Sequence, residues 1–420
     1  MDPTELARRE LELARLMVAN RREQGMEVQE GEARVKEAGH LILHEAPNAA
    51  LRLLAEGRAL LRKAAMRSDF AYEEPAAWEE IKALFRPAQV PQYDFSDYDD
   101  KTLGGWLGKN IGGALGGPVE GWSRERIAKE HGEIIGFVAP PSTLNDDTAY
   151  EVLVLHALQE WGLGVTSAQI AREWVEHLPK AFTAEAVALE NIRRGLTPPE
   201  TAVTDNPYSE WIGGQMKGEI CGWLAPGDPE LAAGLAYRDG IVAHEKNGVY
   251  GEIFNAVTCS LAYVESDVRK ILEGALGYVP PKSRFAEVVR QTLQWCDANE
   301  DWLGAWLEVE KSYAREYHPV HTLSNIPAVI IGLIYGKGDF GRTACITTMC
   351  GLDTDCTAGQ AAALLGTVLG ASGIPFGWKD AVGDDFETFV IGYEHLKTSE
   401  VAARTCLFGR ALARQAGRLR

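Results

Sequence analysis

Two short acidic stretches contain the side chains best suited to chemistry in this chain. The first is NDDT, residues 145–148, and the second is LDTDC, residues 352–356. Each stretch comes directly before an apolar run that is typical of a buried helix, so the acids lie where a hydrophobic core begins. Carboxylates in such positions serve either as helix caps or as ligands for a cation.

Helix capping explains a single acid well, because Asp and Asn accept hydrogen bonds from free N–H groups and suit the helix dipole. It explains two neighbouring acids less well, and the chain has such a pair twice: Asp146 with Asp147, and Asp353 with Asp355. Four carboxylates brought together would repel one another unless cations held them. Hard oxygen donors favour Mg²⁺ or Mn²⁺ over zinc. Spacing alone leaves capping the more frequent outcome and a metal site the alternative.

The elements that position these acids are predicted to be helices. Residues 148–159 give one helix, and residues 357–369 give a second. The second is predicted to be a core helix and not a membrane span, because the stretch 358–378 contains five glycines and a proline. Asn325 precedes another buried helix, where capping is the leading explanation. Alternating strand patterns are scarce, so the fold class is predicted to be all-α.

The chain is predicted to have two parts. Residues 1–92 form a helical N-terminal extension, with a typical helix start at Asp2. Residues 93–420 form the main domain. The stretch 86–100, with two prolines and an acidic cluster, interrupts the helical pattern as a linker does. The sequence does not decide whether the extension is an oligomerisation arm, a lid or added packing.

Composition limits the classes of partner. The net charge of the 420 residues is −18 and no strong basic run is present, so nucleic acid is an unlikely partner. The seven cysteines show no C-x-x-C pattern, which argues against a disulfide scaffold and for a reducing compartment. The charged start has no apolar leader. We therefore expect a cytoplasmic enzyme that does not enter a membrane. The oligomeric state is not indicated.

Three stretches together resemble the ADP-ribosylglycohydrolase family. They are GKNIGGALGGPVEG, STLNDDT and GLDTDCTAGQAAALLG, which occur in the order that the family has them. The resemblance covers essentially all of residues 101–400. It implies a compact, orthogonal, multi-helix all-α fold with two Mg²⁺ or Mn²⁺ ions in a cleft. It also implies a hydrolase that cleaves a ribosyl N- or O-glycosidic bond, with an ADP-ribosylated protein or a small molecule as its substrate.

The resemblance also assigns roles to residues, position by position. The implied metal ligands are Asn145, Asp146, Asp147, Asp353 and Asp355. The implied catalytic residues are Glu120, Asp146 and Asp355. The implied substrate-binding residues are Gly116, Gly117 and His244. Gly248 and Tyr250 follow His244 closely and are predicted to line the site with it.

Three positions depart from the family's usual pattern. Asn145 stands where Ser or Thr usually precedes the first pair of acids, Cys356 stands where Thr usually follows the second, and Gly113 stands where an acid is frequent. Two alternatives to removal of ADP-ribose stay open. One is a nucleoside or nucleotide N-glycosidase of the same fold, and the other is a non-catalytic protein that binds ADP-ribose or has a structural role.

Overall fold

Helices make up 66% of the computed structural model, which describes residues 2–419. Within that range the strands are Asp385–Glu387 (β1) and His395–Lys397 (β2), which pair antiparallel. Short 3₁₀ turns occur at Gly117–Val119, Gln215–Lys217 and Leu276–Tyr278. The α-helices are Pro3–Glu23 (α1), Gln29–Leu43 (α2), Pro47–Arg62 (α3), Trp78–Ala83 (α4), Tyr98–Gly116 (α5), Arg124–His131 (α6), Asp146–Trp161 (α7), Ser167–His177 (α8), Thr183–Arg193 (α9), Glu200–Val203 (α10), Glu219–Trp223 (α11), Pro229–Gly240 (α12), Asn247–Leu261 (α13), Val268–Ala275 (α14), Arg284–Ala298 (α15), Trp302–Lys311 (α16), Tyr313–Glu316 (α17), Thr322–Gly336 (α18), Phe340–Met349 (α19), Thr354–Gly373 (α20), Phe376–Val382 (α21) and Thr398–Gln415 (α22). The all-α prediction is confirmed.

Helices α5 and α20 pack against each other along a row of small residues. Every fourth residue on this face of α5 is glycine: Gly104, Gly108, Gly112 and Gly116. A Cβ atom added to Gly112 would lie 2.1 Å from the carbonyl oxygen of Ala358, and one added to Gly116 would lie 2.2 Å from that of Thr354. Only glycine allows the two backbones to approach so closely.

This packing fixes where the second acidic stretch lies. The first turn of α20 meets the last turn of α5, and the Thr354 hydroxyl donates a hydrogen bond of 2.8 Å to the carbonyl oxygen of Gly116. The glycine-rich stretch and the LDTDC stretch are therefore brought together by the fold. Helix α20 is buried along most of its length, which confirms the prediction of a core helix.

Membrane-spanning potential is limited in the described part of the chain. Among residues 2–419, no single helix is long and apolar enough to cross a membrane. Helices α20 and α21 meet the length and composition criterion only as a pair, and they are bent by 105° relative to each other.

The N-terminal extension has a small hydrophobic core of its own. Residues between Ala7 and Leu61 form this cluster, whereas Ile81 and Tyr93 belong to the large core of the main domain. The helix predicted to start at Asp2 is present, with the Asp2 carboxylate accepting from the Glu5 N–H. The division of the chain at residue 92 stays a prediction.

The extension contacts the main domain through a largely buried carboxyl group. Glu23 ends α1, and its Oε2 lies 3.8 Å from Nε2 of His321. Burial, followed by the charge of Glu210, raises the pKa of Glu23 to about 8, although Arg284 opposes the shift. Burial also holds the pKa of His321 well below its ordinary value. Both groups are therefore neutral at pH 7.

Glu23→Gln is expected to stabilise the protein at pH 9 and to have little effect at pH 5. A carboxyl group whose folded pKa exceeds its ordinary value of 4.5 contributes stability that is lost as the pH rises through about 8. Glutamine stays neutral throughout, so the stability gap should grow with pH to on the order of 2 kcal/mol. Thermal unfolding at both pH values measures this gap. Exposed Glu30 provides the control variant Glu30→Gln; an effect of Glu23→Gln that is independent of pH would contradict the prediction.

Candidate active site

The first acidic stretch opens α7, and its asparagine is the residue that caps the helix. The Oδ1 atom of Asn145 accepts a hydrogen bond of 2.9 Å from the Asp147 N–H. Asp146 and Asp147 follow in the first turn, so neither carboxylate is needed as the cap. The capping interpretation is correct for Asn145. As a metal ligand, Asn145 would have to coordinate the ion with the same Oδ1 atom that accepts the capping hydrogen bond. Its role as a ligand stays a prediction.

The second acidic stretch opens α20, and here the acid at the N-cap position does not cap. The side chain of Asp353 accepts no capping hydrogen bond. Its backbone N–H instead donates to Oδ1 of Asn325, at 3.2 Å. Asn325 lies inside α18, whose cap is His321, so the expectation that Asn325 caps this helix is wrong. The Oδ1 atoms of Asp353 and Asp355 are buried with no hydrogen-bond partner.

The two stretches meet in space. The amide nitrogen of Asn145 lies 3.4 Å from Oδ2 of Asp355, and Sγ of Cys356 lies 3.4 Å from Oδ1 of Asp147. Two sets of possible ligand atoms lie within 4.8 Å of one another: Asp147, Asp355 and Cys356 form one set, and Glu120, Asp353 and Asp355 form the other. Asp355 belongs to both sets, so they are adjacent.

This crowding of acids raises several pKa values. The Asp355 charge, followed by burial, raises the pKa of Glu120 to about 7. Burial, followed by the charges of Asp147 and Asp355, raises the pKa of Asp146 well above its ordinary value. Burial, followed by the charge of Asp355, also raises the pKa of Asp353 well above its ordinary value. The cluster therefore binds either protons or cations to offset its charge.

One buried lysine compensates part of this charge. The Nζ atom of Lys109 lies 3.0 Å from both Oδ2 of Asp147 and Oε1 of Glu219. Burial raises the pKa of Asp147 to about 6, and Lys109 is the main opposing influence. Lys109 therefore forms ion pairs with Asp147 and Glu219. No contact of Lys109 with the acids at the cavity, Asp146 and Asp355, is present within residues 2–419.

A cavity of about 420 Å³ opens over the acids. Glu120, Asp146 and Asp355 all line it, so the three predicted catalytic residues face one space. Asp147 and Asp353 are buried beneath it, at 0% and 6% exposure. The structure therefore brings all the predicted acids together on one side of the cavity. We call this group, Glu120, Asp146, Asp147, Asp353 and Asp355, the acidic floor.

The predicted substrate-binding residues are divided by the structure. Gly117 lines the cavity and has open space beside it, whereas Gly116 packs against α20. His244, Gly248 and Tyr250 do not line the cavity. His244 is buried with Nε2 2.7 Å from the Glu185 carboxylate, the Tyr250 hydroxyl donates to a backbone carbonyl oxygen of the extension, and Gly248 packs against a backbone carbonyl oxygen. Their placement gives no support to a direct substrate contact.

Sequence reasoning missed the outer wall of the cavity. Lys180 and Phe182 come from the segment that joins α8 to α9, and Phe389 comes from the loop between β1 and β2. The Nζ atom of Lys180 lies 4.9 Å from the ring centre of Phe389 and 5.5 Å from that of Phe182. The sequence signal that could have indicated this wall is Phe182, two residues after Lys180 in a connecting segment. Loop positions, however, carry no periodicity that links them to the acids.

Comparisons with known proteins agree with this architecture. The family model described as ADP-ribosylglycohydrolase matches residues 94–411. A solved structure titled "ADP-ribosylglycohydrolase-related protein complex" is similar in fold, with a TM-score of 0.52 and 20% identity over 75% of this chain and 98% of that one. A search among curated proteins found no match at the significance required.

The all-α fold is that of the ADP-ribosylglycohydrolase family. The chain belongs to the ADP-ribosylglycohydrolase family, since the family model covers most of its length. It is accordingly a hydrolase of the glycosidase type. The family is typically metal-dependent, and the two sets of ligand atoms over the acids are candidate positions for metal ions.

Proposed function

We propose that this protein removes ADP-ribose from a modified protein or small molecule by hydrolysing a ribosyl N- or O-glycosidic bond, with two Mg²⁺ or Mn²⁺ ions at the acidic floor. The observation that carries the proposal is the convergence of acids from α7 and α20 under one cavity, with the Oδ1 atoms of Asp353 and Asp355 unpartnered.

The residues present fit hard divalent cations. The donors are carboxylate oxygens, which Mg²⁺ and Mn²⁺ prefer, and their raised pKa values show that the cluster lacks compensating charge. Asp146, Asp147, Asp353 and Asp355 would hold the ions. The thiol of Cys356 is a poor donor for Mg²⁺ and is left to pack against Asp147. When bound, such ions supply positive charge that orients a ribose diol and acidifies water.

Glu120 is the acid best placed to move a proton. It is exposed at the cavity, and its ligand atom lies within 4.8 Å of those of Asp353 and Asp355. Attack of water on the ribose C1″ atom forms a new C1″–O bond, breaks the bond to the leaving nitrogen or oxygen atom, and releases one proton from the water. Glu120 in its carboxylate form accepts this proton and passes it to the leaving atom. Cations held nearby would favour the carboxylate form of Glu120.

The outer wall suits the remainder of ADP-ribose. Phe182 and Phe389 present an edge-to-face aromatic pair, with ring centres 6.3 Å apart, against which an adenine base can pack. Lys180 lines the same cavity and supplies a cation for the diphosphate. Gly117, without a side chain, leaves room for the backbone to approach the substrate.

Release of ADP-ribose from ADP-ribosylated arginine and serine peptides tests the proposal. We expect turnover in the presence of Mg²⁺ or Mn²⁺, and a loss of at least 100-fold after removal of metal with EDTA, because the acids then repel each other and Glu120 becomes protonated near neutral pH. Adding Mg²⁺ back should restore the rate. The released ADP-ribose is quantified by chromatography.

Substrate size separates the proposal from the smaller-substrate alternative. Phe182→Ala should raise KM for ADP-ribosylated peptides and leave KM for a simple nucleoside unchanged, with exposed Phe376→Ala as the control. If the protein cleaves nucleosides but not ADP-ribosylated peptides, the nucleosidase alternative replaces the proposed function. Turnover that is unaffected by EDTA would contradict the role of the metal ions.

A further inference from the structure

A second cluster of ligand-type side chains lies away from the acidic floor. His156 on α7 and Glu173 and His177 on α8 each have one donor atom in this cluster, and the three atoms lie within 4.8 Å of one another. The Nε2 atoms of His156 and His177 lie 2.9 and 3.5 Å from the same oxygen, Oε2 of Glu173. The spacing of Glu173 and His177 by four residues places them on one face of α8.

From this geometry we propose that His156, Glu173 and His177 form a site for one transition-metal ion, Zn²⁺. Two imidazole nitrogens and one carboxylate oxygen make a donor set that suits Zn²⁺ and not Mg²⁺, with water as a fourth ligand. The site is distinct from the acidic floor and takes no part in the proposed hydrolysis.

The groups around the cluster hold each ligand in the orientation that a metal requires. Nδ1 of His177 lies 3.0 Å from the carbonyl oxygen of Ile391 and can only donate to it, so its Nε2 carries the lone pair. The Trp161 N–H donates to the other oxygen of Glu173, at 2.7 Å. The Tyr393 hydroxyl lies 2.8 Å from Nδ1 of His156. Partners of this kind fix the ligands of protein zinc sites.

The charge of Glu173 also favours a cation here. Glu173 is 3% exposed, and among residues 2–419 no Lys or Arg forms an ion pair with it. Its Oε2 atom is shared by the two histidines alone. In the metal-free form the contact to His156 needs a proton on Nε2. Binding of Zn²⁺ requires this proton to be on Nδ1, where it is donated to the Tyr393 hydroxyl oxygen.

The position of the site gives it a structural consequence. His177 ends α8, and its carbonyl oxygen accepts a hydrogen bond of 2.9 Å from the Ile391 N–H. Lys180 and Phe182 follow His177 closely, and Phe389 is two residues before Ile391. A metal ion on His177 therefore ties α7 to both segments that build the outer wall of the cavity.

Calorimetric titration with ZnCl₂ in a buffer that contains excess Mg²⁺ tests the proposal. We expect the full-length protein to bind one equivalent of Zn²⁺ and to unfold at a higher temperature when it is bound. His177→Ala should weaken this binding at least 100-fold, and Tyr393→Phe about tenfold because only the orienting partner is lost. His177 is partly exposed at a helix end, so the variant is expected to fold, which the melting temperature without zinc checks.

Two controls make the result decisive. His395→Ala alters an exposed histidine, 84% accessible, and should leave zinc binding unchanged. Asp353→Asn should also leave it unchanged, so the outcome does not depend on the proposed hydrolysis. Absence of zinc binding, or unaltered binding in His177→Ala, overturns the proposal. Loss of binding in Asp353→Asn overturns it as well, since the zinc would then be on the acidic floor.

Discussion

Asp353→Asn is expected to reduce hydrolysis by at least 100-fold while it leaves the fold intact. The change keeps the size of the side chain and the hydrogen bond from its backbone N–H to Asn325, but removes one negative charge from the floor. Loss of a charged ligand should remove most of the metal-dependent rate, on the order of 3 kcal/mol in the barrier. Turnover at saturating Mg²⁺ measures this effect.

The same variant should be more stable than the wild type when no metal is present. Asp353 is buried beside Asp355; burial first, and the Asp355 charge second, raise the pKa of Asp353 well above its ordinary value. Neutralising it is expected to raise the metal-free melting temperature, in contrast to most changes in a core. Asp380→Asn, on the exposed side of α21, is the control for both measurements. Wild-type turnover in Asp353→Asn would exclude the proposed metal centre.

The predictable parts of the site are those that residue types and spacing within a short stretch of sequence indicate. The acid pairs stand at the starts of α7 and α20, and residue type and hydrophobic spacing indicate both helices directly. The glycine-rich end of α5 carries a local signal too, since glycine at intervals of four predicts a close helix contact. Fold class and the position of each acid pair at a helix start could thus be predicted, whereas the convergence of the two pairs was implied by the family resemblance and not by spacing alone.

The remainder depends on contacts that no local pattern encodes. Lys109 on α5 meets Asp147 on α7, and Asn325 on α18 meets the backbone of Asp353 at the start of α20, although these residues are far apart in the sequence. His244 is adjacent to plausible motifs in the sequence, yet it is directed to Glu185 behind the floor. Tertiary packing, and not spacing, decides which polar residues face the cavity.

Gly112→Ala is expected to destabilise the protein by more than about 3 kcal/mol, a large fraction of the stability of a typical domain. The new methyl carbon would lie 2.1 Å from the carbonyl oxygen of Ala358, which is backbone in the second turn of α20 and cannot rotate away. The two helices would have to separate, which costs more than ordinary overpacking of side chains. Urea unfolding measures the loss. Gly377→Ala, where nothing lies within 4 Å, is the matched control and should be neutral or slightly stabilising.

Alanine substitutions at different positions in the glycine row of α5 should distinguish effects on stability from effects on activity. Gly104 and Gly116 both face carbonyl oxygens of α20, at 2.3 and 2.2 Å, but only Gly116 is at the end where α20 begins. Alanine at either position is expected to destabilise the fold by forcing the helices apart. Gly116→Ala displaces Asp353 and Asp355 as well, so the protein that remains folded should also lose turnover and metal affinity. Equal turnover per folded molecule in the two variants would show that the acids tolerate movement of α20, and that the close helix contact serves stability alone.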